Sequence, residues 1–125
     1  MFENNLSNII IREAIYIHRM LGPGLLESVY KECLYHRLLE NSISVLKEVP
    51  VPLIFENIKL ECGYRADLIV EKKVIVEIKC VELLAEIHKA QLLTYLKLAN
   101  INLGLLLNFN TVILKAGIRR VVYNL

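Results

Sequence analysis

The spacing of apolar positions changes twice along the chain. Leu6, Ile9, Ile10, Ala14, Ile17 and Leu21 recur at helical intervals ahead of Gly22-Pro23, so a first helix is predicted to stop there. Leu26, Val29, Tyr30, Cys33, Leu34 and Leu38 make a second stripe. They predict a helix from about Leu25 to Glu40, with Asn41 closing it. From Ser42 to Phe55 β-branched residues are frequent, but Pro50 and Pro52 remove ladder donors, which predicts an irregular or edge strand. Tyr64 to Val70 and Val74 to Cys80 flank the polar Glu71-Lys72-Lys73, the pattern of a hairpin. Leu84, Ile87, Ala90, Leu93 and Leu96 predict a helix over about Leu83 to Ala99. Asn102 to Phe109 reads as a buried strand, and Ile118 to Tyr123 as one more. Helices, strands, a helix and further strands in this order predict an α/β fold with a central mixed sheet between helices.

A chain of 125 residues suits one domain, 1–125, whose core needs no staple. Apolar residues at 55% against 22% charged exclude a disordered tail. No apolar run approaches the roughly 20 residues of a membrane span, and the acid in Met1-Phe2-Glu3-Asn4-Asn5 argues against a secretory signal. The net charge of +2 permits a nucleic-acid partner without arguing for one. Cys33, Cys62 and Cys80 are odd in number and far apart, so no disulfide or structural zinc is expected, and a reducing, cytoplasmic setting fits.

The hairpin carries the chemistry. With the turn centred on Lys72, Val70 faces Val74, and side chains alternate from there. Ala66, Leu68, Val70, Val74, Val76, Ile78 and Cys80 fall on one apolar face. Arg65, Asp67, Ile69, Ile75, Glu77 and Lys79 fall on the other, with Asp67 opposite Glu77 and Arg65 opposite Lys79. Like charges opposite each other are unfavourable in a sheet. One resolution is diagonal pairing of Asp67 with Lys79 and of Arg65 with Glu77 on a solvated face. The other is a hard cation between the carboxylates, with the lysine stabilising a transferring phosphoryl group.

Two helical features could belong to such a site. Glu27 opens the second helix, where the helix dipole alone would favour an acid. His88, Gln91 and Tyr95 form a polar stripe at i, i+3 and i+7, which either faces solvent or holds a nucleotide or a water.

Asp67, nine residues, then Glu77-Ile78-Lys79 resembles the Asp…(Asp/Glu)-x-Lys signature of the PD-(D/E)xK nuclease superfamily. Gly24-x-x-Glu27-x-x-Tyr30 resembles its small GxxExxY branch. Leu21-Gly22-Pro23-Gly24, the Ala90–Leu96 and Gly104–Phe109 segments and Arg119-Arg120-Val121 match that branch as well. Ala66 stands where the superfamily signature has a variable proline. The resemblance implies a restriction-endonuclease-like core: a mixed sheet of about four to five strands flanked by helices. It implies Mg2+ or Mn2+ on Asp67, Glu77 and the Ile78 carbonyl, with Glu27 contributing through water. Glu27, Asp67, Glu77, Lys79 and Gln91 would be catalytic, and Tyr30, His88 and Tyr95 would position substrate. The implied activity is phosphodiester hydrolysis of DNA or RNA. The alternative is a catalytically weak or inactive nucleic-acid-binding module. A homodimer mate or protein partner would supply specificity, since little surface remains beyond the core. An interaction protein with a merely solvated polar face is the third reading.

Overall fold

Gly22 ends the first helix through its backbone. Helix α1 (Glu3–Leu21) closes where Gly22 adopts φ 72° and its N–H donates to the His18 carbonyl at 2.8 Å. A left-handed φ suits glycine, which has no Cβ to clash. The computed structural model describes all 125 residues. Helix α2 (Glu27–Glu40) starts two residues later than the apolar stripe suggested. The reason is local: the Leu25 N–H is taken by the Tyr30 hydroxyl at 3.2 Å, which pins Leu25 in the loop. Asn41 caps the far end, its side-chain amide donating to the Arg37 carbonyl.

The middle of the chain holds more structure than expected. Strand β1 (Val45–Pro50) is followed by a small separate hairpin of β2 (Leu53–Phe55) and β3 (Ile58–Leu60). Its turn residues Glu56 and Asn57 both have positive φ, as a tight hairpin turn requires, yet neither is the glycine that signals one. Strands β4 (Arg65–Val70) and β5 (Val74–Lys79) form the expected hairpin. Val70 faces Val74, Ile69 faces Ile75 and Leu68 faces Val76, the register of a turn centred on Lys72. Helix α3 (Glu86–Ala99), β6 (Leu103–Asn108) and β7 (Ile118–Val122) complete the chain. Helix α3 begins later than Leu83 because Ala85 is its cap residue: the Ala85 N–H donates to His88 Nδ1 and the His88 N–H donates to the Ala85 carbonyl.

The order β1-β4-β5-β6-β7 makes a five-stranded mixed sheet in which only β5 and β6 are parallel. Parallel neighbours need a crossover, and α3 provides it. The architecture is consistent with a restriction-endonuclease-like fold. On one face, Leu68, Val70, Val74, Val76 and Ile78 pack against α1 and α2 with Leu6, Ile10, Tyr30 and Leu34. On the other, Ile69, Ile75 and Leu106 pack against Leu92, Tyr95 and Leu96 of α3. Gly104 lets α3 come this close, since a Cβ there would lie 2.8 Å from Leu92. Ala66 departs from the expected alternation and joins the α3 side with Val51. The pairing of β4 with β5 ends at Leu68, and beyond it β4 is no longer held to the hairpin's parity. No helix is long and apolar enough to cross a membrane.

Candidate active site

The two strands of the β4–β5 hairpin part where the acids stand. Past Leu68 and Val76 the backbone ladder stops, and side chains take over the bonding. The Asp67 N–H donates to Glu77 Oε2 at 2.7 Å, and the Ile78 N–H donates to Asp67 Oδ2 at 2.8 Å. Each carboxylate thus accepts from backbone on or beside the other's position. Strand β5 stays in the sheet because Glu77, Ile78 and Lys79 continue pairing with Leu106, Leu107 and Asn108.

This arrangement rejects the solvated-face alternative. Glu77 is only 4% exposed, Asp67 is half-buried, and neither forms an ion pair with Arg65 or Lys79. Burial, reinforced by the Asp67 charge, pushes the Glu77 carboxyl up to about 8. Burial also raises Asp67, against the opposing pull of the Ile78 N–H and of Lys31 and Lys79. The second oxygen of each carboxylate has no protein donor, and no buried side-chain oxygen is left unpartnered, so both open onto solvent.

Glu27 reaches the same place from another element. Its Oε2 accepts from the Cys80 N–H at 3.0 Å, one residue past Lys79. The first turn of α2 is therefore anchored on the carboxyl end of β5. Lys79 is half-buried with no ion pair, while its carbonyl accepts from the Phe109 N–H at 2.9 Å. Its backbone is fixed and its amine is uncommitted. Ile78, fully buried, lies between Glu77 and Lys79 on the strand.

The remaining expected residues divide. Tyr95, 5% exposed, is packed under the acids, and burial together with the Glu77 charge pushes its phenol up to about 12. Gln91 and Tyr95 line a groove of about 410 Å³ between α3, Leu53 and Tyr64, with the Tyr64 and Tyr95 rings 6.2 Å apart. His88 also lines the groove, but its Nδ1 accepts the Ala85 N–H at 2.9 Å and so caps α3. Tyr30 has no surface with which to touch a substrate. It is 0% exposed, stacked on Phe109 at 4.3 Å, and its hydroxyl donates to the Gly22 carbonyl at 2.5 Å. It shapes the loop that leads to Glu27.

Two residues escaped the sequence reading. Lys31 follows Glu27 by one helical turn, and its Nζ lies 2.8 Å from Glu48 Oε1. Its charge acts on Asp67. Glu48 sits between the pairs Lys47–Leu68 and Val49–Ala66, opposite Asp67, with φ 54°. The i, i+4 spacing from Glu27 was the available signal for Lys31; Glu48 had none, because a left-handed glutamate in a strand has no sequence mark.

The donor chemistry suits a hard divalent cation, which takes oxygen ligands and is commonly held by one or two carboxylates with water. Asp67 and Glu77 supply two such open oxygens, although no three His, Cys, Asp or Glu side chains cluster closely enough to form a complete protein cage. A family model described as the PD-(D/E)XK nuclease superfamily matches residues 4–121. Neither the curated proteins nor the solved structures contain a significant match.

Proposed function

Because the chain belongs to the PD-(D/E)XK nuclease superfamily, we propose that it is a metal-dependent phosphodiester hydrolase acting on DNA or RNA. We place it in the small GxxExxY branch, whose motif it carries at Gly24, Glu27 and Tyr30. The observation that carries the reading is the exchange of backbone hydrogen bonds at Asp67 and Glu77. It buries two acids side by side and leaves one open oxygen on each.

Asp67, Glu77 and the Ile78 carbonyl would hold Mg2+ or Mn2+. When bound, the cation supplies Lewis-acid polarisation of a phosphoryl oxygen and a more acidic water. Glu77, with its carboxyl at about 8, keeps its proton at neutral pH in the empty protein and must give it up on loading. The uncommitted Lys79 amine, whose charge acts on both acids, would face the negative charge that grows on the phosphoryl group. Glu27, steadied by the Cys80 N–H, keeps one oxygen free to hold a water. Gln91 and Tyr95 would receive the adjoining nucleotide in the α3 groove, with the phenol protonated and able to donate. Three free thiols support a reducing compartment, the cytoplasm.

The test is cleavage of labelled DNA and RNA by purified protein with magnesium, with manganese and in chelator. Cleavage is expected only with metal, and Glu77→Gln or Lys79→Met should lower it by roughly a hundredfold or more, the scale of losing one preorganised charge contact. Activity that survives in chelator or in Glu77→Gln overturns the proposal. Binding without any cleavage would instead favour the non-catalytic module.

A further inference from the structure

Strands β5 and β6 end side by side, and the chain leaving β6 builds one wall of a second cleft of about 540 Å³. The last turn of α1 and Gly22-Pro23 build the other wall. His18, 5% exposed, ties the two together: its Nε2 lies 2.8 Å from the Thr111 carbonyl and so carries the proton and donates. Arg19 and Lys115 line this cleft, both exposed, and no Asp or Glu does. Like most of the chain's cations, neither has a carboxylate partner, and these two face one another across the same cleft. The dipole of α1 accounts for a cation at Arg19, but not for Lys115 across the cleft.

Short chain segments tether this cleft to the candidate active site on both sides. Pro23 precedes Glu27 by four residues, and Val112 follows Asn108, the neighbour of Lys79, by four. Consecutive Cα atoms are about 3.8 Å apart, so each wall lies within about 15 Å of a site element. That distance spans a few nucleotides.

Resting on the reading of the protein as one that binds nucleic acid, we propose that Arg19 and Lys115 grip backbone phosphates of the substrate strand a few nucleotides from the scissile bond. The Arg19 guanidinium offers a planar fork that matches phosphate oxygens, and Lys115 adds a point charge. Ile113, 68% exposed at the rim, gives the sugar and base side an apolar surface. The cleft thereby sets which stretch of a strand lies over Asp67 and Glu77.

The experiment is anisotropy binding of single-stranded DNA and RNA oligonucleotides in calcium, over a salt series. Each phosphate contact to a single strand adds about 0.7 to the slope of log affinity against log salt. Arg19→Gln/Lys115→Gln should therefore reduce that slope by about 1.4 and weaken binding roughly tenfold or more at low salt. Lys72→Asn/Lys73→Gln removes the same charge from the hairpin turn at the opposite end of β4 and β5 and should leave the slope unchanged. Equal behaviour of the two double variants overturns the cleft while leaving the proposed function standing. Wild type that binds neither oligonucleotide overturns the cleft as a grip on a single strand, while the cleavage assay decides the proposed function separately.

Discussion

Glu77→Gln should make the metal-free protein more stable, and more so as pH rises. Its carboxyl is raised from 4.5 to about 8 by burial and by the Asp67 charge. A raised folded value means the stability is present below 4.5 and is lost as pH climbs through about 8. The loss runs at about 1.4 kcal/mol per pH unit over that window. At neutral pH the wild type therefore carries a cost of order 3 kcal/mol that a neutral isostere escapes. That is a large share of the ~5–15 kcal/mol typical of a domain, and of order 10 °C in melting temperature. The glutamine carbonyl can still accept the Asp67 N–H. Melts of both proteins in chelator, followed by circular dichroism from about pH 5 to about pH 9, measure the difference. Wild type should fall steeply up to about pH 8, and the variant should lack that fall. Parallel curves would refute the claim that Glu77 is buried as an ionisable member of a repelling pair.

Asp67→Asn in chelator should leave stability unchanged or raise it, because burial disfavours the charge that the amide removes; a less stable variant in thermal melts would contradict this. Tyr30→Phe should destabilise by about 0.5–1.5 kcal/mol, because the Gly22 carbonyl and the Leu25 N–H lose the hydroxyl that joins them, as read by urea unfolding. Timed alkylation with mass spectrometry should find three free thiols, Cys62 reacting first as the exposed one and Cys80 slowly because burial pushes its thiol up.

The hairpin was the most legible part of the chain. Alternation through Val70, Val74, Ile69 and Ile75 gives its register as far as Leu68 and Val76, because residues of matching parity share one face of the sheet. Ala66 was misread, since alternation holds only while the ladder does, and the acids themselves end the ladder at Leu68. The apolar stripes start before the helices at Glu27 and Glu86 because side chains from inside each helix, Tyr30 and His88, reach back to take the N–H groups of Leu25 and Ala85. The motif resemblance puts Tyr30 with the positioning residues, whereas the apolar stripe of α2 puts it on the core face, where its ring stacks on Phe109. Glu48 has no local mark, since its pair with Lys31 joins α2 to β1 across the edge of the sheet.

The most direct measurement is the anomalous difference map of crystals grown with manganese. A single peak about 2.0–2.6 Å from an oxygen of Asp67 and an oxygen of Glu77, lost in Glu77→Gln, is the expected result. A map with no peak at these carboxylates, from crystals saturated with manganese, would contradict the claim that the parted strands of the hairpin hold a catalytic cation.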